Sequence, residues 1–161
     1  MLVSIIVPAY NQAKTIKRDL RNIHDAMKKT RWDFEMIVVN DGSTDRTYSE
    51  AKKVKRKNLR VVGYKKNYGK GHAVKYGVAR AKGDIIAFID SGMDIDPNGI
   101  SLLLEHMLWY DSDIIVASKR HSASKVNYTT LRKIYSEAYY LLVKFLFGLK
   151  YFSYTFLFSM H

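Results

Sequence analysis

The stretch IIAFIDSGMDIDP, residues 85–97, places a continuous apolar run directly before three aspartates, Asp90, Asp94 and Asp96. Such a short, isoleucine-rich run is typical of a strand that is covered on both faces. Asp96 and Pro97 have a structural explanation, because an aspartate cap followed by proline commonly begins a helix. Helix capping does not explain Asp90 and Asp94. Two carboxylates at a strand end predict a site for a hard divalent cation, Mg²⁺ or Mn²⁺, which also binds substrate phosphates.

Apolar runs like this one recur along the chain and alternate with patterns of helical period. Strands are predicted at 3–7, 36–39, 59–62, 85–89 and 114–116, and helical spacing of apolar residues covers 16–27, 73–81 and 100–108. Single helices between strands indicate βαβ units, whose crossovers are right-handed. The sequence therefore predicts an α/β fold, a Rossmann-like, mostly parallel, doubly wound sheet.

Composition narrows the class of protein. A chain of 161 residues with 47% hydrophobic residues is the size of one globular domain, and it contains no cysteine. The short run at 2–7 lacks the features of a signal peptide, so a cytoplasmic location is expected. A net charge of +12 calls for an acidic partner, which is a nucleic acid, an anionic membrane surface or a phosphorylated small molecule. The basic run KKVKRK, 52–57, ends a predicted helix and is interpreted as a solvated face, so no nucleic acid is expected.

The loops that follow the predicted strands carry most of the chemically interesting residues. They are PAYNQ (8–12), NDGSTD (40–45), YKKNYGKGHA (64–73), DSGMDIDP (90–97) and SKRH (118–121). Ligands of doubly wound sheets bind outside the carboxyl ends of the strands, where the strand order reverses. The five loops are therefore expected to share one edge of the sheet and to form a site there.

Taken one at a time, these loops have simpler interpretations. In NDGSTD, Ser43 or Thr44 is the expected N-cap of a helix, with Asp45 in its first turn, but Asp41 is left without a capping role. The GKG at 69–71 lacks the spacing of either phosphate-loop motif. The five histidines show no metal-binding spacing, so a histidine metal site is not expected.

Taken together and in order, PAYNQ, VNDGSTD, NYGKGHAVKYG, AKGDIIAFIDSGMDIDP and VASKRH resemble the family 2 glycosyltransferases of the GT-A fold. The resemblance is closest to the polyprenyl (dolichol) phosphate mannose and glucose synthase branch and covers residues 3–150. It implies transfer, with inversion, of a sugar from a nucleotide diphosphate sugar of the GDP-mannose or UDP-glucose type. The implied acceptor is a polyprenyl phosphate lipid.

The resemblance also implies roles for particular residues. The implied nucleotide-binding residues are Pro8, Tyr10, Gln12, Asp41, Lys70, Asp90, Ser91 and Arg120. Asp41 would bind the base, Arg120 would meet the diphosphate, and Gln12 stands where the family more often has glutamate. The implied catalytic residues are Asp90, Asp94 and Arg120, and Asp90 and Asp94 are the implied ligands of Mg²⁺ or Mn²⁺.

Two departures from the family pattern leave alternatives open. The metal motif of the family reads Asp-x-Asp, and here its second acid is Gly92. After FGLK (147–150) the family continues into a segment containing Asp-Thr-Gln, whereas this chain reads YFSYTFLFSMH, so the resemblance implies a C-terminally truncated member. The alternatives are a weakly active or inactive nucleotide-binding remnant, or another Mg²⁺-dependent nucleotide enzyme such as a nucleotidyltransferase or phosphatase.

The sequence after the fifth motif suggests a division of the chain. Residues 1–126 are the expected nucleotide-sugar-binding domain, and 127–161 the expected amphipathic helix and aromatic tail. One apolar stripe is formed by Leu131, Ile134, Ala138, Leu141, Leu142 and Phe145. Beside it, Arg132, Lys133 and Lys144 could face lipid phosphates, which predicts peripheral binding at the cytoplasmic face of an anionic membrane. The alternative is that the stripe packs on the sheet as ordinary core.

Overall fold

Strands and helices alternate along the chain in its computed structural model, which describes residues 1–92, 96–117 and the backbone of 158–160. The elements are β1 (Leu2–Ala9), α1 (Ile16–Lys28), β2 (Asp33–Asp41), α2 (Thr47–Lys52), β3 (Leu59–Tyr64), α3 (Lys70–Val78), β4 (Ile85–Phe88), α4 (Gly99–Trp109), β5 (Ile114–Ile115) and β6 (Phe158–Met160). Every predicted strand and helix within the described ranges overlaps an observed one. None of the described helices is long and apolar enough to cross a membrane.

The strands form one six-stranded sheet in the order β3-β2-β1-β4-β6-β5. β1 pairs in parallel with β2 on one side and with β4 on the other, and β2 pairs in parallel with β3. The predicted Rossmann-like, mostly parallel, doubly wound sheet is therefore confirmed.

The sixth strand comes from a distant part of the sequence. β6 lies antiparallel between β4 and β5, with Met160 opposite Ile85 and Ser159 opposite Ile114. Three residues are too few for a periodic pattern, which is why the sequence does not predict this strand. Apart from β6, the predicted amphipathic helix and tail of 127–161 lie outside the described residues.

The central strands are covered on both faces. Ile5, Ile6 and Val7 of β1 are fully buried, which is why this strand reads as a continuous apolar run rather than an alternating one. The β1–α1–β2 and β2–α2–β3 units step in one direction, while β3–α3–β4 steps back past β1. Because these crossovers are right-handed, α3 lies on the face opposite α1 and α2.

The reversal of strand order lies between β1 and β4. The chain leaves β1 toward β2 on one side and reaches β4 on the other. Loops that follow two such strands diverge and open a crevice outside the carboxyl ends. The loop beginning at Tyr10 and the loop beginning at Ile89 therefore form the walls of this crevice.

Helix α3 approaches the sheet closely at Gly77. A Cβ at this position would collide with Cγ2 of Ile6 and would lie 3.1 Å from Cγ2 of Val39. Ile6 and Val39 belong to the buried cluster on this face, together with Ile37 and Ala73. The missing side chain of Gly77 therefore sets how closely α3, which carries Lys70 at its start, packs on β1 and β2.

Gly77→Ala is expected to destabilise the fold by about 1–3 kcal/mol, because the added methyl overpacks the contact between α3 and the sheet. Gly71→Ala is the matched control, since it lies in the same helix and its Cβ would meet open space. It is expected to be neutral or slightly stabilising, because alanine favours the helix. Urea unfolding measures both variants, and equal midpoints for Gly77→Ala and the unmodified chain would contradict the close contact.

Candidate functional site

A cavity of about 390 Å³ opens at the crevice between β1 and β4. Its lining residues are Pro8, Ala9, Tyr10, Gln12, Asp41, Asn67, Gly69, Lys70, Asp90 and Ser91. The volume falls in the range of small-molecule sites, about 300–1,000 Å³. The lining comes from four of the five loops that follow the predicted strands. Every predicted nucleotide-binding residue within the described part of the chain lines this cavity.

Asp90 is held in place through both of its neighbours in sequence. The Ile89 N–H donates to the Ile6 carbonyl at 3.0 Å, which extends the pairing of β1 with β4 beyond the strand itself. The Ser91 hydroxyl donates to the Pro8 carbonyl at 2.8 Å. The backbone on each side of Asp90 is therefore fixed to β1, and the carboxylate faces the cavity from a rigid position.

Lys70 and Asp90 form an ion pair inside the cavity. Lys70 Nζ lies 2.7 Å from Asp90 Oδ2, and the two side chains are 53% and 41% exposed. Lys70 is the only cation among the described residues of the lining. The sequence predicts both residues as nucleotide contacts but not their pairing, because no local spacing rule relates the start of α3 to the end of β4.

The carboxylate of Asp41, only 3% exposed, fixes the loop that precedes α3. Its Oδ1 accepts from the Tyr64 hydroxyl at 2.7 Å and from the Tyr68 N–H at 2.9 Å. Its Oδ2 accepts from Asn67 Nδ2 at 3.0 Å. Burial, together with the hydrogen bond to Asp41, raises the pKa of the Tyr64 phenol above its ordinary value of 10.0. Asp41 therefore anchors the loop that leads into Lys70.

Tyr64 and Asn67 are functional neighbours that the sequence interpretation missed. Both belong to the quoted YKKNYGKGHA segment, but a pairing between this loop and Asp41 has no periodic signature. One signal does exist, since Gly42 has φ +61° and a Cβ there would collide with the backbone of Lys66 and Asn67. The glycine after Asp41 thus marks a close approach of the two loops.

The loops after β1 and β2 are joined by hydrogen bonds between side chains and backbone. Asn11, which has φ +52°, accepts from the Thr44 N–H at 2.9 Å through Oδ1. Asp45 Oδ2 accepts from the Ala13 N–H at 3.0 Å, and Asp45 Oδ1 accepts from the Thr47 N–H at 2.8 Å. Burial raises the pKa of Asp45, but the hydrogen bonds from Thr47 and Ala13 outweigh it and lower the pKa below 3.8.

These bonds correct the prediction for NDGSTD. Helix α2 begins at Thr47, its N-cap Arg46 makes no side-chain hydrogen bond, and Asp45 Oδ1 binds the N–H of its first residue. Ser43 and Thr44 are not its N-cap, and Asp45 precedes its first turn. The reason is that Asp45 and Thr44 bind the loop after β1, and the Ser43 hydroxyl accepts from the Asn11 N–H at 3.1 Å. Asp45 therefore bonds both to the start of α2 and to the loop after β1, and Ser43 and Thr44 bond to that loop instead of capping the helix.

The prediction for Asp96 and Pro97 is also corrected in detail. Helix α4 begins at Gly99, two residues after the proline, and its N-cap makes no side-chain bond. Asp96 Oδ1 accepts from the Asn98 N–H at 2.9 Å, which forms an Asx-turn ahead of the helix. Asp96 therefore has a structural role ahead of α4 and is not part of the described lining of the cavity.

Comparison with known proteins identifies the family. Residues 4–160 match the family described as glycosyl transferase family 2. The chain belongs to glycosyl transferase family 2. The dolichol-phosphate mannosyltransferase of Pyrococcus furiosus is 31% identical over 139 residues, which are 85% of this chain and 39% of that protein. The dodecaprenyl-phosphate galacturonate synthase of Rhizobium johnstonii is 30% identical over 122 residues, 74% of this chain and 36% of that protein. The chain thus spans about two-fifths of the length of such relatives.

Solved structures place this family 2 chain in the same fold. A mannosyltransferase from Pyrobaculum calidifontis, in complex with GDP-Man and Mn²⁺, is 31% identical with a TM-score of 0.51, over 63% of this chain and 32% of that one. Glucosyl-3-phosphoglycerate synthase from Mycobacterium tuberculosis is 20% identical with a TM-score of 0.70, over 99% of this chain and 56% of that one. The second likeness shows the fold alone, and with it the predicted GT-A-like architecture is confirmed.

The donor atoms at the end of β4 decide how a metal could bind to this family 2 chain. Asp90 supplies a half-exposed carboxylate whose Oδ1 makes no hydrogen bond within the described residues. Gly92 supplies no ligand atom, and its φ of +137° makes any side chain there strained, although the space around it is open. No group of three or more metal-ligating residues occurs in the described ranges. Mg²⁺ and Mn²⁺ are bound by one or two carboxylates with substrate phosphates, so Asp90 fits a cation that arrives with a nucleotide.

Two predicted site residues, Asp94 and Arg120, lie outside the described residues, and their roles stay predictions. A second cavity, of about 500 Å³, is lined by Lys52, Val54, Lys55, Arg56, Lys57, Leu59 and Val61. It lies at the start of β3, at the end of the sheet opposite to the site. Although it is larger, its described lining contains no carboxylate, hydroxyl or imidazole, and its cations fit the solvated face predicted for KKVKRK.

Tyr64→Phe is expected to lower the free energy of unfolding by about 1–3 kcal/mol, because it removes a donor from a buried carboxylate. Tyr76→Phe is the control, since Tyr76 packs against Tyr64 and its hydroxyl makes no hydrogen bond within the described chain. This variant is expected to change stability little. Chemical denaturation measures both variants, and equal losses would show that the bond to Asp41 is not the cause.

Proposed function

We propose that this chain is the donor-binding part of an inverting glycosyltransferase that moves a sugar from a nucleotide diphosphate sugar to a polyprenyl phosphate. The observation that carries the proposal is the cavity between β1 and β4, which gathers residues from four of the family motifs. Family membership and the polyprenyl-phosphate enzymes among the relatives support it. The donor is of the GDP-mannose or UDP-glucose type, and the GDP-Man complex of a 31% identical mannosyltransferase supports the first.

The nucleoside would bind where β1 ends. Pro8, Tyr10 and Gln12 line one wall, and the Tyr10 side chain, 46% exposed, offers a ring on which a base can stack. Asp41 would bind the base at the far end of the wall. Its carboxylate already accepts three protein hydrogen bonds, so a donor on the base would share an oxygen that the protein has fixed in place.

The diphosphate would bind over the end of β4 and the start of α3. Lys70 and Ser91 lie there in the cavity, and Arg120 is the proposed third contact. Asp90 and Asp94 would hold Mg²⁺ or Mn²⁺, as the Mn²⁺ complexes of related structures support; when bound, the cation would neutralise charge on the leaving diphosphate. A fixed cation that interacts more strongly with the developing charge than with the bound sugar donor lowers the barrier to transfer. The chain's part in the reaction is thus assistance to the leaving group.

Nucleotide binding is the first test. GDP or UDP with Mn²⁺, at a hundredfold excess over Kd, is expected to raise the free energy of unfolding by about 2–3 kcal/mol. Tyr10→Ala should weaken binding by about 1–3 kcal/mol, the range for a lost base–aromatic stack. Tyr48→Ala is the matched control, because Tyr48 is 39% exposed and lies outside the cavity. Thermal shift and calorimetry measure both, and no shift with any common nucleotide would refute the proposal.

Transfer distinguishes an active enzyme from a chain that only binds its donor. The assay offers labelled GDP-mannose or UDP-glucose together with a polyprenyl phosphate in detergent and follows label into lipid. Gly92 favours the second candidate, a nucleotide-binding remnant, because one ligand of the family's metal motif is missing. Binding without transferred label would support the remnant, and label in the lipid would exclude it.

An anionic membrane at the cytoplasmic face is the proposed location of the acceptor. The net charge of +12 supports this, as does the basic, apolar-striped sequence at 127–150. The protein is expected to sediment with vesicles containing anionic lipid, and high salt should release part of it, because screening removes only the electrostatic part of binding. Neutral vesicles are the control. Equal recovery in the supernatant with and without anionic vesicles would contradict this location.

A further inference from the structure

Lys70 is paired with Asp90, the described residue that is the candidate ligand of a divalent cation. Its Nζ lies 2.7 Å from Asp90 Oδ2 and 5.5 Å from the centroid of the Phe88 ring. Lys70 is the first residue of α3, and its backbone follows Gly69, which has φ +87°. The ammonium therefore comes from the start of α3 and the carboxylate from the end of β4, so the ion pair joins the two elements over which the proposed diphosphate would lie.

The ion pair of Lys70 and Asp90 sets the charge balance of the described cavity lining. The described lining contains two carboxylates, Asp41 and Asp90, and one cation, Lys70. Asp41 has its own three donors, so Lys70 is the counter-ion of Asp90 alone. A nucleoside diphosphate brings several more negative charges into this space. Added positive charge favours its binding, and the one ammonium in the described lining is engaged by Asp90.

We propose that Lys70 is the resident counter-ion of Asp90 and that a divalent cation arriving with the nucleotide replaces it, so that the Lys70 ammonium passes from Asp90 to the diphosphate. This inference rests on the proposed function. The exchange is sterically simple, because lysine carries its charge on a flexible four-carbon stem. It is also inexpensive, because an ion pair with both partners half exposed contributes little to stability. The exchange thereby gives the Asp90 carboxylate a new counter-ion and frees the Lys70 ammonium to donate to the phosphate oxygens.

The exchange couples the binding of metal to the binding of nucleotide. Without nucleotide, the cation competes with Lys70 for Asp90, whose only described partner is Lys70, and Gly92 adds no ligand atom. With nucleotide, the displaced ammonium has a phosphate to bind. Metal affinity should therefore be low for the free protein and higher for the nucleotide complex. By linkage, the metal raises nucleotide affinity by the same factor.

The test uses the full chain and measures binding of Mn²⁺ by the paramagnetic resonance signal of the free ion. Mn²⁺ is titrated alone and in the presence of GDP or UDP. Lys70→Met is expected to bind Mn²⁺ alone about fivefold more tightly, the factor for removing a contact charge in a well-solvated site. The same variant should bind the nucleotide with Mn²⁺ more weakly. Lys70→Arg, which keeps the charge, should retain the low affinity for Mn²⁺ alone.

Lys66→Met is the matched control, since Lys66 lies in the same loop and its Nζ is 5.6 Å from the Tyr68 ring rather than in the cavity. It loses the same charge and should shift neither affinity. Equal affinity of Lys70→Met and the unmodified chain for Mn²⁺ alone, including no detectable binding to either, would overturn the exchange. Tighter Mn²⁺ with unchanged nucleotide affinity would overturn the transfer of Lys70 to the diphosphate. Failure of every nucleotide to bind would refute the proposed function, while the arm with Mn²⁺ alone would still test the exchange at Asp90.

Discussion

The parallel pairing of β1 with β2 on one edge and with β4 on the other is the constraint on which the rest of the structure depends. It makes β1 a central strand, whose faces the packed helices can bury, and it brings the carboxyl ends of all three strands to one end of the sheet. It also reverses the direction in which the chain steps, so the loops after β1 and β4 must part. The cavity is therefore a consequence of connectivity.

The loops at this edge cannot use sheet pairing to hold their shape, so polar side chains hold them instead. Asp41 binds the loop before α3, and Asn11 and Asp45 join the loops after β1 and β2. Each of these side chains accepts backbone N–H groups, which lie at fixed positions. The arrangement leaves Lys70 and Asp90 to face the cavity from a scaffold that does not itself need a ligand.

Much of this could be predicted from the sequence, because its strongest signals are periodic or topological. The buried runs at β1 and β2 have no alternation to obscure them, and the rule for strand ends placed Tyr10, Asp41 and Asp90 at one site. Polar contacts between distant segments leave no periodic signal in the sequence. The sequence places Asp45 directly before its own helix, but the bond from the Ala13 N–H to Asp45 joins segments that no local spacing rule relates. Only the geometry of the folded loops brings such groups together, and the same holds for the pairing of Lys70 with Asp90.

Within the described residues, β5 is joined to the rest of the sheet through β6. Within the described chain, its pairing partners are Phe158 and Ser159 of β6, and β6 in turn pairs with β4. The strands from β1 to β4 lie in the first part of the sequence and need only short loops to close. β6 lies about 70 residues after β4 in the sequence, and contacts between such distant segments cost more loop-closure entropy than those within β1 to β4. The attachment of β5 to the sheet therefore depends on a long-range pairing, whereas the part of the sheet that carries the cavity depends on contacts closer in sequence.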